Sequence, residues 1–380
     1  MNQKNLNDII EHYIEKFEEI NNPDHFEVYK WIIAQKFRPM MDEALVSSDD
    51  EFSDKLLKVR NLTENIIDSY LQPFYGLVKC AKEEPDAVRQ LFLDLFQDDG
   101  GDLVNREERI RNFLKGSHDL RDKHFEGSFL YTDDFHSATS YLSLYDPDHN
   151  YFLKQTQSRR FAECVEYYDD WGTGENVNLA KYYKMCDELV EAIKQNETLM
   201  KTDASRFDPQ LGFGELYPDL EKHILAFDII YCSTVYDLYS GISIIKRNAK
   251  ERVLYEERKK KAKERKKALD AAYLKKDMYD ALCASLEKAF STGSKLTHTK
   301  MGKGSILEVK NGSLSVQFEG KDIPTKLSLP LSIANELIVP ENDCFFIDDE
   351  QKALLLEGNR IQDRLQGAEK HFAPYADDLE

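Results

Sequence analysis

The forty-five residues from 246 to 290 contain neither glycine nor proline, and Lys, Glu, Arg, Ala and Leu dominate their composition. These residue types favour the α-helix, and the segment lacks both residues that most often interrupt one. We therefore expect a single long helix, polar around most of its middle and apolar on one face at each end.

The same segment reverses the charge of the rest of the chain. Residues 246 to 276 hold 14 lysines and arginines against five aspartates and glutamates, a local charge of +9. The whole chain carries −19, so the remainder carries −28. A molecule with this balance repels DNA and anionic membranes except through a local basic surface. The sequence thus predicts a basic element attached to an acidic body.

The first 245 residues show the periodicity of packed helices. Apolar side chains recur every three or four residues in 5–20 and again in 26–37, which indicates amphipathic helices. Pro85 is well placed for the first turn of a further helix. A short strand is predicted at Tyr151–Leu153, followed by a helix that Ser158 would cap. We expect one continuous helical domain over 1–245.

A small β-module is predicted after the long helix. Two alternating runs in 302–320 flank Asn311-Gly312, a dipeptide typical of two-residue hairpin turns. A final helix is expected near 349–366, with frayed residues after it. The predicted fold class is mainly α: a helical domain (1–245), a long basic helix (246–290), and an SH3-like β-barrel with a trailing helix (291–380).

Motifs for catalysis and cofactor binding are missing from the sequence. The nine histidines form no cluster with metal-ligand spacing, and no G-x-x-x-x-G-K-[ST] phosphate loop or nucleophile elbow is present. The six cysteines are scattered, which favours reduced thiols and a cytoplasmic protein. No signal peptide and no membrane span are expected. We expect no metal and no cofactor.

One acidic pattern keeps an enzymatic alternative open. Glu350-x-Lys352 follows an apolar run and resembles the acid–lysine pattern of metal-dependent nucleases. Such a site needs a further carboxylate on a preceding strand, for which Asp343 is the candidate, and a surrounding parallel sheet. The sequence shows no pattern for that sheet, so a nuclease with a dispersed active site remains the alternative.

The basic run at 255–267, YEERKKKAKERKK, allows three interpretations. It could be a solvated helix face with i,i+4 ion pairs, such as Glu256–Lys260 and Glu257–Lys261. It could dock on this protein's own acidic body or on an acidic partner. It could also contact nucleic-acid phosphates without sequence preference. The candidate contact residues are Arg258, Lys259, Lys263, Lys266 and Lys267.

Four stretches carry a family resemblance: FEVYKWIIAQKF (26–37), EEPDAVRQLFLDLFQDD through REERIRNFL (83–114), SYLSLYDPDHNYFLKQTQSRRFAE (140–163) and HILAFDIIYCSTVY (223–236). In order and spacing they resemble the non-motor region that precedes the ATPase motor of Mcr-type (type IV, modified-cytosine) restriction systems. The resemblance covers about residues 10–240 and implies target or partner recognition. GTP hydrolysis is not implied, because no Walker A motif, AAA+ core or nuclease follows.

The β-module carries a second resemblance, through LTHTKMGKGSILEVKNGSLSVQFEG (296–320). It is similar to the SH3/Tudor-like modules that end some bacterial repair helicases, with Leu296, His298, Met301, Gly302 and Gly304 matching the start of that pattern. Met301 stands where an aromatic residue is usual. The resemblance implies docking on a protein or a nucleic acid, or a structural cap. Candidate contacts are Lys303, Lys310 and Phe318, although Phe318 is expected in the barrel core.

These observations predict a non-catalytic recognition or adaptor protein of a bacterial antiviral-defence or DNA-transaction system. Its expected partner is a protein, for example an ATPase or nuclease subunit encoded nearby, and DNA or RNA is a further expected ligand; no membrane contact is expected. The alternatives are the metal-dependent nuclease described above and a purely structural subunit of a complex.

Overall fold

The computed structural model describes residues 1–22, 26–63, 65–67, 70–341 and 347–378. Their contacts divide the chain into two compact units, Met1–Lys246 and Arg247–Glu380. The fold is mainly helical, with a small β-sheet confined to the second unit. None of the helices in the described ranges combines the length and the apolar character needed to cross a bilayer.

The first unit is an array of helices, and strands are absent from its described residues. The helices are α1 (Gln3–Glu15), α2 (Phe17–Ile20), α3 (Tyr29–Leu45), α4 (Asp49–Thr63), α5 (Pro73–Glu83), α6 (Pro85–Leu95), α7 (Leu103–His124), α8 (Phe135–Tyr145), α9 (Gln155–Cys164), α10 (Leu179–Gln195), α11 (Glu197–Ser205) and α12 (His223–Val235). Among the described residues, two short 3₁₀ turns, Gly174–Asn176 and Pro209–Leu211, lie in the connections.

The helices begin where side chains can satisfy their exposed backbone amides. Pro85 occupies the first turn of α6, as predicted, because proline has no amide hydrogen to leave unpaired there. Asp102 caps α7 by accepting from the backbone N–H of Val104 and Asn105. One continuous apolar core, rich in Phe, Tyr, Leu and Ile, joins these helices. The helical expectation for this region is confirmed.

Two local predictions in the first unit are wrong. Tyr151–Leu153 is not a strand: the segment is extended and buried, but it pairs with no other strand among the described residues. Its side chains are buried in the helical core, so the segment is held in place by packing and not by hydrogen bonds to a neighbouring strand. Ser158 does not cap a helix either, because α9 already begins at Gln155 and the Ser158 hydroxyl hydrogen-bonds the buried hydroxyl of Tyr182 at 3.2 Å.

In its described residues, the second unit consists of one long helix, a five-stranded sheet and three further helices. Its elements are α13 (Ala249–Ala289), β1 (Lys295–His298), β2 (Gly302–Lys310), β3 (Ser313–Phe318), β4 (Thr325–Ser328), α14 (Leu329–Ala334), β5 (Ile338–Pro340), α15 (Asp349–Leu356), α16 (Gly358–Phe372) and a 3₁₀ segment, Ala373–Asp378.

The sheet is antiparallel and curled into a half-barrel, with strand order β4-β3-β2-β1-β5. The predicted hairpin is present: β2 and β3 are joined by Asn311 and Gly312, and both residues have the positive φ that a two-residue turn requires. Gly304 lies on the inner face, where a Cβ would be 2.7 Å from Val316 Cγ1 and 2.8 Å from Phe318 Cδ1. A larger residue at this position would displace the core.

The inner face of the half-barrel is covered by helices. Leu286 and Phe290 at the end of α13, together with α14 and Leu355 of α15, pack on Leu296, Ile306, Leu314, Val316 and Phe318. Phe318 is 1% exposed. The expectation that its ring belongs to the core is confirmed, so Phe318 presents no surface for a partner.

The last residues, ending YADDLE, were predicted to fray; this is wrong through Asp378, and residues 379 and 380 lie outside the described part of the chain. Helix α16 runs antiparallel to α13, since Tyr279 contacts Gly358, Tyr273 bonds Glu369, and Arg258 bonds Asp378. The 3₁₀ segment Ala373–Asp378 continues this pairing beyond α16. The two helices form an antiparallel pair with the sheet at one end.

Candidate functional site

Helix α13 is the element on which the predicted contact residues lie, and local chemistry defines where it starts. The Asn248 side chain accepts from the Glu251 amide at 3.1 Å, and the Glu251 carboxylate accepts from the Asn248 amide at 2.8 Å. This reciprocal capping box fixes the first turn. The helix then continues for 41 residues, about 60 Å at 1.5 Å per residue.

One side of α13 faces α16 and the 3₁₀ segment. Ala262 and Leu269 are buried on this side, seven residues apart, and Ile361 and Leu365 are buried residues of α16. We name this side the packed side. Polar contacts run along its edges, including Lys275–Glu357 at 2.5 Å and Tyr273–Glu369 at 2.7 Å.

Three of the five predicted helix contacts lie on or beside the packed side. Lys259 is only 9% exposed, so its side chain is part of the helix pairing. Arg258 donates to Asp378 at 2.6 Å and to the Pro374 carbonyl at 3.1 Å, and the Asp378 carboxylate raises the pKa of the guanidinium. Lys266 pairs with Asp270 at 2.8 Å, and its ammonium lies 5.8 Å from the Phe372 ring. The basic run therefore serves partly to hold its own C-terminal segment.

Lys263 and Lys267, the other two candidates, are exposed and have no ion-pair or hydrogen-bond partner in the described part of the chain. Lys260 lies one turn before Lys263 on the same face, is also exposed, and is equally unpaired within the described ranges. These three residues follow an i, i+3, i+7 spacing, so their ammonium groups share one side of the helix. We name them the basic face.

The i,i+4 ion pairs expected to neutralise this region are not formed. Among the described residues, no salt bridge joins Glu256 to Lys260 or Glu257 to Lys261. Lys261 and Arg265, on another flank of the helix, are likewise exposed and unpaired within the described ranges. Five cations thus face solvent within two turns of helix, and only Glu264 lies among them.

The two predicted lysines of the sheet lie apart from each other. Lys303 is opposite Thr297 on the outer face of β2, and Lys310 is opposite Ser313 beside the hairpin turn. Both side chains are exposed. The outer face around them carries mainly Ser, Thr, Gln and Lys, so it offers hydrogen bonds and positive charge but no aromatic ring for base stacking.

The candidate nuclease residues do not converge in the described structure. Glu350 is exposed in the first turn of α15, and Lys352 pairs with Glu336 at 2.5 Å. The neighbouring sheet is antiparallel, whereas the nuclease pattern requires a parallel one. Asp343 lies outside the described residues.

A buried ionic network in the first unit was not predicted from the sequence. Lys30 is fully buried and donates to Glu27 at 2.7 Å and to Asp228, whose other oxygen accepts from the Tyr13 hydroxyl at 2.6 Å. Burial alone would lower the pKa of Lys30, but Asp228 and the neighbouring Cys232, Tyr29 and Glu27 together more than offset this and raise it. The lysine therefore stays charged in the core.

The network continues through Arg206, whose guanidinium lies over the Trp31 ring at 3.7 Å and donates to Tyr13 at 3.1 Å. Asp203 accepts from Arg206 at 3.3 Å and from Lys222 at 2.9 Å. Three cations and three carboxylates are thus paired, and this balance is what allows such groups to be buried. The network joins α1, α3, α11 and α12.

Part of this network has the composition of a metal site. Oxygen or sulfur atoms of Glu27, Asp228 and Cys232 lie within 4.8 Å of one another. The Lys30 ammonium donates to both carboxylates, so it already supplies the positive charge that an ion would bring. Burial raises the pKa of the Cys232 thiol well above its usual range, which disfavours the thiolate that a metal needs. These three residues are therefore better suited to stabilising the core with Lys30 than to binding a metal ion.

A cavity of about 450 Å³ lies where the α6–α7 turn meets the loop after α8. Its arginines are engaged: Arg106 donates to Asp99 at 2.7 Å, and Arg109 donates to Asp99 and, at 3.1 Å, to the Leu95 carbonyl. Burial alone would raise the pKa of Asp99, but these arginines and the Gly101 amide hold it at about 2. These ion pairs stabilise the turn between α6 and α7, so both arginines are already occupied and are poorly placed to bind a ligand.

Another buried carboxyl, Asp133, makes the free energy of unfolding depend on pH. Burial raises its pKa to about 6, although hydroxyls of Ser117, Ser137 and Tyr141 donate to it. This pKa is higher than the pKa of about 3.9 that an aspartate has in an unfolded chain. Protonation of Asp133 therefore stabilises the folded state. This stabilisation is fully present below about pH 3.9 and is lost as the pH rises through 6.

Asp133→Asn is therefore expected to weaken the pH dependence of unfolding. Between about pH 4 and 7, the wild-type free energy of unfolding should fall relative to that of the variant by up to roughly 3 kcal/mol. Urea unfolding followed by tryptophan fluorescence measures this difference, because both tryptophans, Trp31 and Trp171, belong to the first unit. An identical pH dependence in the two proteins would rule out this role for Asp133.

Comparison of the chain with known protein families, with characterised proteins and with solved structures finds no match in any of the three. The two resemblances drawn from the sequence therefore remain predictions.

Proposed function

We propose that this protein is a non-catalytic recognition component that binds nucleic acid through the phosphate backbone. The observation that carries this proposal is the basic face of α13: Lys260, Lys263 and Lys267 are exposed, aligned and unpaired among the described residues. On a chain of net charge −19, this local concentration of exposed cations is the surface through which a polyanion can be attracted.

The geometry of the basic face favours contact with phosphates over the reading of bases. Lysine ammonium groups are point charges on flexible stems, which suits sequence-independent contact with phosphate oxygens. No arginine in this face is placed for the bidentate pairing that distinguishes guanine. Arg258, the nearest arginine on the packed side, is occupied by Asp378.

The half-barrel is proposed as a second contact module of SH3/Tudor-like type. In support of this, β5 returns to lie beside β1, and Lys303 and Lys310 project from the solvent-facing side of β2. The resemblance to the non-motor region of Mcr-type ATPases supports a setting in bacterial defence or a DNA transaction. There, a partner protein would supply the motor or nuclease activity.

The test is direct binding of the full chain to duplex DNA and to single-stranded RNA at low ionic strength, followed by fluorescence anisotropy. The proposal predicts binding to at least one of them, little dependence on sequence, and weakening with added salt. Three phosphate contacts correspond to a slope of log K against log[salt] of about −2.7 for duplex DNA. Failure of both nucleic acids to bind at low salt would overturn the proposal and favour a protein ligand or a structural role.

A further inference from the structure

The exposed side of α13 continues past the basic face as an apolar stripe. Ala271, Leu274, Met278 and Ala281 follow the 4-3 spacing of a helix–helix seam and are all exposed. Leu274 is 63% and Met278 56% exposed, although each has the apolar side chain of a core residue. Met278 lies nine residues after the buried Leu269, or two and a half turns, so the stripe is opposite the packed side.

The stripe is symmetric about residue 276. Leu274 and Met278 are equidistant from this point, Ala271 and Ala281 are the next equidistant pair, and Lys267 and Ser285 follow. A two-fold axis at residue 276 would therefore bring each residue of one helix opposite its counterpart on an antiparallel second copy. A two-fold interface requires this self-complementarity, because residue i contacts j and j contacts i.

The charges beyond the stripe match the same arrangement. Glu264 and Lys288 are each twelve residues from position 276, both are exposed, and neither has an ion-pair partner among the described residues. In the antiparallel pairing, Glu264 of each copy would lie opposite Lys288 of the other. The four alanine positions across the pair, two from each copy, would allow the helices to approach closely.

We infer that two copies of this chain associate through the α13 stripe, as an antiparallel helix pair on a two-fold axis at residue 276. With α16 on the packed side of each α13, the assembly is a four-helix arrangement with both α13 helices at its centre. Lys260 and Lys263 lie beyond the paired section and stay accessible. Lys267 lies opposite the small Ser285 of the second copy, and its long side chain can still place the ammonium in solvent. The inference rests on the stripe and its flanking charges and is independent of nucleic-acid binding.

The first test is the concentration dependence of the molecular mass of the full chain in sedimentation equilibrium. The wild type is expected to approach two chain masses as its concentration rises about a hundredfold. Leu274→Glu/Met278→Glu should weaken association by at least tenfold. Val253→Glu/Leu254→Glu, also on exposed apolar residues of α13 but outside the paired section, should leave association unchanged. Circular dichroism checks that each variant retains its helices.

The second test addresses the register through the flanking charges. Glu264→Lys places lysine opposite Lys288 and should weaken association severalfold. The double swap Glu264→Lys/Lys288→Glu should restore it, because opposite charges face each other again. A wild type that stays monomeric at every concentration would overturn the inference. A swap that fails to restore association would overturn it equally.

Discussion

Simultaneous replacement of Lys260, Lys263 and Lys267 by glutamate is expected to lower the affinity of the protein for duplex DNA by roughly a hundredfold at low salt. Each lysine that contacts a phosphate displaces about 0.9 of a condensed counterion. Removal of all three should therefore flatten the slope of log K against log[salt] by about 2.7. Anisotropy titrations at a series of salt concentrations measure the affinity and the slope together.

The matched control for this variant is Lys4→Glu/Lys36→Glu/Lys58→Glu. These three lysines of the first unit are exposed and have no partner among the described residues, so the control carries the same change in net charge. It should change the affinity only through the weaker long-range field. If the control loses as much affinity as the variant, the effect is one of net charge, and the basic face is not the contact site.

Lys30→Met is expected to cost the first unit about 3–5 kcal/mol of folding free energy, because it leaves buried carboxylates without their counter-charge. Glu27 and Asp228 would lose the ammonium that bonds both of them. For a unit of this size, such a loss lowers the melting temperature by about 10 °C. Thermal unfolding followed by tryptophan fluorescence reports on this unit, and the adjacent Trp31 lies in the network itself.

Lys36→Met on the same helix is the control for this prediction. Lys36 is exposed, so its replacement should change stability by less than about 0.5 kcal/mol. The triple variant Lys30→Met/Glu27→Gln/Asp228→Asn should recover much of the loss, because no unpaired charge then stays buried. A change of less than 1 kcal/mol for Lys30→Met would show that the network contributes little to folding.

Local sequence patterns predicted the elements whose stability is local. The long helix follows from its composition and its lack of Gly and Pro, and the β2–β3 hairpin follows from Asn311-Gly312. The core position of Phe318 follows from strand alternation. Tyr151–Leu153 resembled a strand because its residues are apolar and extended, yet only tertiary contacts decide whether such a segment pairs or packs.

The candidate site was less predictable from the sequence. Which lysines of the basic run are exposed depends on residues that are distant in the chain. Lys259 and Lys260 are neighbours in one basic run, but the first is buried and the second exposed where α13 packs with the 3₁₀ segment Ala373–Asp378, more than a hundred residues later. The ionic network has the same origin: Lys30 and Asp228 are 198 positions apart. A lysine within an apolar helical stripe was the available signal, and it does not identify its partner.

The central claim is that the basic face of α13 contacts nucleic acid, and lysine acetylation footprinting tests it most directly. The full chain is labelled with an amine-reactive acetyl donor, with and without saturating duplex DNA at low salt, and mass spectrometry gives the modification of each lysine. The account predicts strong protection of Lys260, Lys263 and Lys267 and unchanged labelling of Lys4, Lys36 and Lys58. Unchanged labelling of the basic face in the bound protein, or protection confined to other lysines, would contradict it.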